Sequence, residues 1–238
     1  MIEIQEGLAD GTRIFGWKSD PPLTPFAPSY AHYFTEKKIF SSEECEKWNT
    51  YLLEQEPILL DKYKNSQAND GQTGLGNTSI TSRYGCFNLL KFDFDLVPKL
   101  KKAIYDGVHT LLRVSNNTDW QETLYANSWF NVLRQGESIN EHSHGFHKHS
   151  FYGFNLHITD SKTKNFYYHP IKFQRAAFYM SNKIGHLTLF PNFIPHSVSP
   201  NKNETPRISI AGDIRTSSWK DDKEFKNINK DLVVKICS

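Results

Sequence analysis

The chain has 238 residues, enough to bury a sizeable core in one or two domains, and its 14% aromatic content argues against bulk disorder. The formal net charge of +2 is close to neutral, so charge alone does not indicate a nucleic-acid or membrane partner. Cys45, Cys86 and Cys237 are scattered without C-x-x-C spacing, which argues against a disulfide framework and against a thiolate zinc site.

The first half of the chain predicts loops and two helices. The stretch to about Ala31 is broken by prolines and is predicted to be extended or looped. A helix is predicted from Ser41 or Ser42, whose hydroxyl can cap it, to just before Pro57. Residues 65–83 are polar and glycine-rich and predict a long loop. The sequence "VPKLKKAIYDGVHTLLRV" predicts an amphipathic helix with an apolar stripe of Leu100, Ile104, Val108, Leu111 and Leu112.

From Leu124 the chain consists of short segments rich in aromatic and β-branched residues. The segments "LYANSWFNVLR", "SFYGFNLHI", "KNFYYHPI", "GHLTLFP" and "RISIAGDI" predict successive antiparallel strands. Because helices come first and strands later, without βαβ alternation, an α+β or mainly β fold is predicted rather than a Rossmann sheet. We expect one domain, with a helical and looped preface at 1–120, a β core at 121–215 and a C-terminal appendage at 216–238.

Four of the ten histidines fall between His142 and His149. In a strand, His142 and His144 would point to the same face and aim two imidazoles at one point, as a metal ion requires. Alone the pair is a weak indication, because polar segments commonly carry exposed or hydrogen-bonded histidines. His147 and His149 are expected on the loop beyond the strand, in contact with solvent or substrate.

A second segment adds a third imidazole and a cation. A strand ends at Pro191, His196 follows, and Arg207 lies eleven residues later with Ser209 on the same strand face. A buried arginine needs an anionic partner, and its planar fork suits a carboxylate. That partner is either a ligand or an acid in an ion pair, with Asp213 as the one nearby acid of matching parity or another acid at the surface.

The order H-x-H, then a histidine in "FPNFIPHSV", then R-x-S resembles the iron(II)- and 2-oxoglutarate-dependent oxygenases. The segments "SWFNVLRQGESINEHSHG", "GHLTLFPNFIPHSVSPN" and "RISIAGD" resemble, more narrowly, an uncharacterised group of these enzymes from bacteria and marine phages. The resemblance covers roughly residues 124–214. It implies a double-stranded β-helix, or cupin-like jelly roll, with N-terminal helices packed on one sheet. It also implies Fe(II), 2-oxoglutarate and O2 as cofactors, and substrate hydroxylation with release of succinate and CO2.

Carried over by position, the resemblance implies roles for individual residues. His142 and His196 would ligate the iron, and Arg207, helped by Ser209, would hold the far carboxylate of 2-oxoglutarate. Two asparagines, Asn131 and Asn155, are candidates for contacts with the cosubstrate. Aromatic residues, including Phe190, would wall the pocket.

The chain departs from the usual pattern at His144, where most of the superfamily has Asp or Glu. Three interpretations are open: His144 ligates and completes a three-histidine site, it stands aside and water completes the site, or the metal is zinc. We expect ligation, because strand parity aims His144 at the same point as His142.

Two other functions stay open. One is a three-histidine cupin-type metalloenzyme that does not use 2-oxoglutarate, and the other is a catalytically inert jelly-roll binding module. The expected substrate is a small molecule or a peptide, with a peptidyl residue such as proline as the first guess by analogy. The polar loop at 65–83 and the segment at 161–177 lie where loops that cover the substrate would be expected. The cysteine usage and the absence of an apolar leader predict a cytoplasmic protein, in the host cytoplasm if phage-encoded.

Overall fold

The computed structural model describes residues 2–5, 8–145, 148–159, 161–169, 177–218 and 230–236. Within these ranges the chain is mainly β, with antiparallel sheets and few helices. The strands are β1 (Ile2–Gln5), β2 (Arg13–Lys18), β3 (Ala31–Lys38), β4 (Leu124–Leu133), β5 (Ile139–His142), β6 (Tyr152–His157), β7 (Lys164–Tyr168), β8 (Ala177–Ser181), β9 (His186–Pro191), β10 (His196–Val198), β11 (Arg207–Thr216) and β12 (Val234–Ile236).

The strands form two sheets. The larger has the order β1-β2-β3-β9-β6-β11-β4-β12, and the smaller has the order β5-β10-β7-β8. From β4 to β11 the chain passes back and forth between the two sheets, except that β7 and β8 are consecutive in the smaller one. The first and last strands of this series, β4 and β11, pair with each other along the whole length of β11.

The five strands predicted after Leu124 are confirmed as β4, β6, β7, β9 and β11. The strand expected around His142 and His144 is found as β5, which ends at His142, and the structure adds β8 and β10, which the sequence analysis did not predict. These three strands have only four, five and three residues, too few to give a clear alternation. They are held by ladders to distant parts of the chain, which local sequence does not reveal.

The N-terminal preface contains strands that were not expected. Two of them, β2 and β3, pair with each other, and β3 joins the larger sheet through β9, with Thr35 opposite Leu189. The expectation of a helical and looped preface is therefore wrong for these residues. The sequence hides β3 because its buried positions include Glu36, whose carboxylate pairs with Arg13 at 2.7 Å.

The C-terminal residues are likewise not all an appendage. Strand β12 pairs with β4, and Ile236 lies buried opposite Leu124 at the edge of the larger sheet. This ladder extends the sheet beyond the predicted core. Residues 219–229 and 237–238, including Cys237, lie outside the described ranges.

The two helices are α1 (Ser42–Lys62) and α2 (Val97–Val114). Ser41 caps α1 as predicted, and its side chain and that of Glu44 form a reciprocal capping box. Pro57 was expected beyond the helix but lies inside it. Proline removes one helical hydrogen bond, and the burial of Leu59 in the core offsets this loss by keeping the last turn packed.

The apolar stripe predicted for α2 is buried in full and shares a cluster with strands of the larger sheet. Gly107 allows this approach, since the methyl groups of Leu189 lie 3.0 and 3.1 Å from where a Cβ would be. The loop predicted at 65–83 ends in a buried 3-10 helix at Ile80–Arg83. Within the described ranges, no helix combines the length and apolarity that crossing a membrane requires.

Candidate metal centre

Two strands of the smaller sheet bring the first two histidines together. His142 ends β5, His196 begins β10, and the two are register partners in the antiparallel pair. Their ring centroids are 4.4 Å apart. The ring of His144 lies 5.0 Å from that of His196, centroid to centroid. One nitrogen from each of the three imidazoles lies within 4.8 Å of the other two, an arrangement that could hold a metal ion.

Backbone carbonyls orient two of the rings. Nδ1 of His142 lies 2.8 Å from the carbonyl oxygen of Asn140, and Nδ1 of His196 lies 2.9 Å from that of Ile194. Since a carbonyl only accepts, Nδ1 carries the hydrogen in both rings and Nε2 keeps its lone pair. This is the usual second hydrogen bond of a metal-binding histidine, and it fixes both the tautomer and the ring plane.

His144 is held differently. It lies beside His142 as expected, with the ring centroids 5.4 Å apart, but beyond the end of β5, so strand alternation is not the reason. Its backbone N–H donates to the carbonyl of Asn192 at 2.9 Å, and its Nδ1 donates to Oδ1 of Asp213 at 2.6 Å. A side chain from β11, rather than the alternation of β5, therefore directs this imidazole into the cluster.

The environment favours neutral imidazoles at two of these positions. Burial lowers the pKa of His142 to about 4, with the neighbouring His144 adding to the effect. Burial also holds the pKa of His196 well below its ordinary value. For Asp213 burial acts to raise the pKa, but the interactions with His144 and Arg215 outweigh it and leave the pKa lowered. Neutral imidazoles beside an ionised carboxylate are the protonation states that metal binding requires.

The three histidines line a cavity of about 400 Å³. Its lining includes aromatic rings from different elements: Trp129 on β4, Phe190 on β9, and Tyr84 after the 3-10 helix. Asp213 and Arg215 add charged groups to the same lining. The cavity thus combines apolar walls with a few polar groups, as small-molecule sites commonly do.

One wall of the cavity is the loop at residues 69–73. The carboxylate of Asp70 accepts backbone N–H groups at 3.0 to 3.1 Å from Gln72, Gly74 and Gly76. The loop is also tied to β5, because the N–H of Asn140 donates to the carbonyl of Thr73 at 2.8 Å. These bonds preform the wall beside His142.

Arg207 is 1% exposed, and its guanidinium contacts only neutral groups among the described residues. Nε donates to Thr163 Oγ1 at 3.2 Å, Nη1 to Ser209 Oγ at 3.0 Å and Nη2 to His157 Nδ1 at 3.4 Å. The alternative of an Arg207–Asp213 ion pair is wrong, since that carboxylate bonds elsewhere. A buried cation that has no acidic partner in the described part of the chain is suited to bind an anionic ligand.

The two predicted asparagines both line the cavity. Asn131 faces Ser209 across the β4–β11 pair; its Nδ2 lies 3.4 Å from the serine hydroxyl, and its Oδ1 accepts from Thr81 at 2.8 Å. Asn131 thus connects the cavity lining to the serine beside Arg207. Asn155 lies on β6, and its buried Oδ1 has no hydrogen-bond partner among the described residues.

The sequence analysis missed Tyr167. It is the β7 register partner of His196, its ring is fully buried, and its hydroxyl has no hydrogen-bond partner in the described ranges. Burial raises the pKa of Tyr167, and the nearby charge of Arg207 only partly opposes this rise, so the hydroxyl stays protonated. A tyrosine in "KNFYYHP" does not by itself indicate a site residue. Only the pairing of β7 with β10, which begins at His196, brings Tyr167 to the site. The contacts of Thr163 and His157 with Arg207 had no sequence signal.

Of the remaining histidines of the run, His149 does not extend the cluster. His149 Nδ1 lies 3.4 Å from the hydroxyl of Ser218, and His149 is absent from the described metal-ligand group. His147 lies outside the described ranges.

A mainly β protein with three clustered histidines and a buried arginine matches a known family over part of its length. Residues 155–213, about a quarter of the chain, match the model of a family described as "Putative 2OG-Fe(II) oxygenase". The matched range includes His196, Arg207 and Ser209, whereas His142 and His144 precede it. The resemblance to 2OG-Fe(II) oxygenases predicted from the motifs is thus confirmed, and the description names the predicted metal and cosubstrate. Among curated proteins, none matches the chain significantly.

Solved structures add a comparison of folds. AviO1 from Streptomyces viridochromogenes Tue57 is 8% identical with a TM-score of 0.51, over 77% of this chain and 89% of that one. A Pseudomonas putida prolyl-4-hydroxylase is 11% identical with a TM-score of 0.48, over 76% and 91%. The epimerase SnoN, in complex with Fe3+, alpha ketoglutarate and nogalamycin RO, is 10% identical with a TM-score of 0.47, over 76% and 78%. At 8% identity the likeness to AviO1 concerns the fold alone.

Proposed function

We propose that the chain is an iron(II)- and 2-oxoglutarate-dependent oxygenase that hydroxylates its substrate. The observation that carries the proposal is Arg207, a buried guanidinium held by neutral groups and linked through Ser209 and Asn131 to the cavity that the three histidines line. A dicarboxylate that binds a metal at one end and a cation at the other matches this arrangement.

The proposed fold is a double-stranded β-helix, with the helices of the N-terminal half packed on one sheet. The alternation of β4 to β11 between the two sheets supports it, as does the closure of β11 on β4. The buried stripe of α2, in one cluster with strands of the larger sheet, supports the packing of that helix. The metal would lie where β5 meets β10, at the end of the smaller sheet's ladder.

The residues present fit a metal and a dicarboxylate. His142, His144 and His196 each have Nδ1 engaged and Nε2 left as donor, and we propose all three as ligands. Arg207 and Ser209 would bind the far carboxylate of 2-oxoglutarate. Two buried polar groups without partners among the described residues, the hydroxyl of Tyr167 and the Oδ1 of Asn155, would complete the pocket together with the amide of Asn131.

The protein's own contribution is binding, orientation and exclusion of water. When bound, the iron couples oxidation of 2-oxoglutarate by O2, giving succinate and CO2, to insertion of one oxygen atom into a substrate C–H bond. The outer hydrogen bonds keep the imidazoles in one orientation, and Arg207 fixes the far end of the cosubstrate. The preformed loop at 69–73 and the rings of Tyr84 and Trp129 line the cavity that would receive the substrate.

The substrate class is proposed as a small molecule or a peptidyl residue such as proline, and a proline-containing peptide is the first compound to test.

The free thiols of Cys45 and Cys86 agree with the proposed cytoplasmic location.

The test is metal- and cosubstrate-dependent succinate production without substrate, measured in the parent, His196→Ala and Arg207→Met. We expect slow turnover in the parent, loss of metal uptake in His196→Ala, and retained metal uptake with 2-oxoglutarate binding weakened at least thirtyfold in Arg207→Met, the order for losing a buried ion pair. The matched control is Arg134→Met, because Arg134 pairs with Glu56 away from the cavity. Equal succinate production in the parent and both site variants would contradict the proposal.

Two rivals give different results in the same experiment. A three-histidine cupin-type enzyme without cosubstrate would bind metal but show no 2-oxoglutarate affinity, in the parent or in Arg207→Met. An inert binding module would take up no stoichiometric Fe(II) or Mn(II) under anaerobic titration.

A further inference from the structure

We propose that Asp213 is a positioning residue of the metal centre, supplying through His144 the negative charge that a ligating carboxylate would otherwise supply. The inference rests on one part of the proposed function, the binding of a divalent metal by the three histidines. It assigns a role to a carboxylate that the sequence offered only as a partner for Arg207.

The hydrogen-bond partners of the three imidazoles differ in charge. His142 and His196 donate to backbone carbonyls at 2.8 and 2.9 Å, whereas His144 donates to a carboxylate at 2.6 Å. The shorter distance is that of a charge-assisted bond. The carboxylate charge therefore lies beside His144, the one histidine at the position where the related enzymes have Asp or Glu.

Asp213 is also the rigid partner of this pair. It is 7% exposed and lies in β11, which is paired on both sides at this residue, with Asn127 of β4 and Gly153 of β6. His144 follows the end of β5 and has no strand partner of its own. The fixed carboxylate therefore determines where the imidazole points.

The charge balance gives the arrangement a chemical purpose. Three neutral imidazoles leave the full double positive charge on a divalent metal, whereas two imidazoles and one carboxylate leave a single positive charge. A carboxylate that accepts from the distal nitrogen raises the donor strength of the imidazole, and losing such a partner typically weakens metal binding 10- to 100-fold. Asp213 thus restores one negative charge through its hydrogen bond with His144, without ligating the metal itself.

A purely structural role has to be distinguished, because Oδ2 of Asp213 also lies 3.6 Å from Nη2 of Arg215. The decisive experiment is a double-mutant cycle of Asp213→Asn and His144→Ala, with anaerobic Co(II) binding measured by chelator competition and by visible absorption. Asparagine keeps the shape and the hydrogen-bond acceptor and removes only the charge. Asp10→Asn is the matched control, since Asp10 pairs with Lys37 on the surface.

We expect Asp213→Asn to weaken Co(II) binding 10- to 100-fold in the parent and to alter the cobalt absorption bands. In the His144→Ala background the same substitution should change the affinity less than twofold, and Asp10→Asn should change nothing. Asp213→Glu, which keeps the charge, should bind within about fivefold of the parent, and it serves if Asp213→Asn does not fold by circular dichroism.

The results separate the two ideas. Parent-like Co(II) affinity and spectrum in Asp213→Asn, or an equal loss in both backgrounds, would overturn the role of Asp213 while leaving the oxygenase proposal intact. No stoichiometric metal uptake by the parent would overturn both.

Discussion

The buried polar groups around Arg207 have a high free energy without a ligand. The guanidinium of Arg207 is 1% exposed and has no counter-charge among the described residues, and burial lowers its pKa to about 10. The Tyr167 hydroxyl and Asn155 Oδ1 are also buried without hydrogen-bond partners among the described residues. Each such group raises the free energy of the empty site by about 1–3 kcal/mol, so a ligand that satisfies them gains affinity.

Tyr167→Phe therefore separates binding from stability. We expect 2-oxoglutarate to bind about tenfold more weakly, the effect of losing one hydrogen bond to a charged group. The ligand-free protein should unfold at the same temperature or a higher one, because the substitution removes an unsatisfied buried hydroxyl. Isothermal titration and thermal melts measure the two effects. Tyr179→Phe on β8, where the side chain is 56% exposed, is the control for both. Parent-like 2-oxoglutarate affinity in Tyr167→Phe would show that the hydroxyl does not contact the ligand.

At the scale of elements, β11 carries Arg207, Ser209 and Asp213 on one face and core residues on the other. Alternation places Arg207, Ser209 and Asp213 toward the sheet's inner face, while Ile208 and Ile210 enter the hydrophobic core. Gly212 lies on the core side, and a Cβ there would overlap the carbonyl of Asn127 and the ring of Phe154. The packing behind β11 thus depends on the absence of a side chain.

Gly212→Ala should lower the free energy of unfolding by about 1–3 kcal/mol, as overpacking in a core typically does. At this chain length that corresponds to roughly 2–4 °C in melting temperature for each kcal/mol. Gly85→Ala is the matched control, because a Cβ at Gly85 meets nothing within 4 Å, and we expect less than about 0.5 kcal/mol. Urea titration gives both values. A free energy of unfolding in Gly212→Ala as high as that of Gly85→Ala would contradict the packing described for β11.

Features that depend on neighbouring residues could be predicted from the sequence, whereas features that depend on residues far apart in the chain could not. The capping box of Ser41, the stripe of α2 and the alternation that places Ser209 beside Arg207 are local patterns, and all are found in the structure. Strand β3, the position of Tyr167 beside His196 and the bond from His144 to Asp213 arise from pairs distant in sequence. Local periodicity contains no information about such pairs.

For the whole molecule, buried neutral histidines link folding to pH. His157 is fully buried, and burial, aided by the charge of Arg207, lowers its pKa well below the ordinary value of 6.5. Burial has the same effect on the pKa of His196, and it lowers the pKa of His142 to about 4. Below pH 6.5 the unfolded chain binds protons that the folded chain does not, so the free energy of unfolding must fall as pH falls.

His157→Asn tests this linkage in metal-free protein. Urea unfolding at pH 7.5, 6.5 and 5.5 in the presence of a chelator should show stability in the parent declining with falling pH. Each buried neutral histidine contributes at most about 1.4 kcal/mol per pH unit in that window. His157→Asn removes one group that takes up a proton on unfolding, so the free energy of unfolding should depend on pH less steeply, by up to that amount. Thr163→Val, which removes another partner of Arg207 without removing a titratable group, should lower stability equally at every pH. A slope in His157→Asn as steep as in the parent would mean that His157 is not the neutral group under Arg207, and that its neighbours carry the pH dependence.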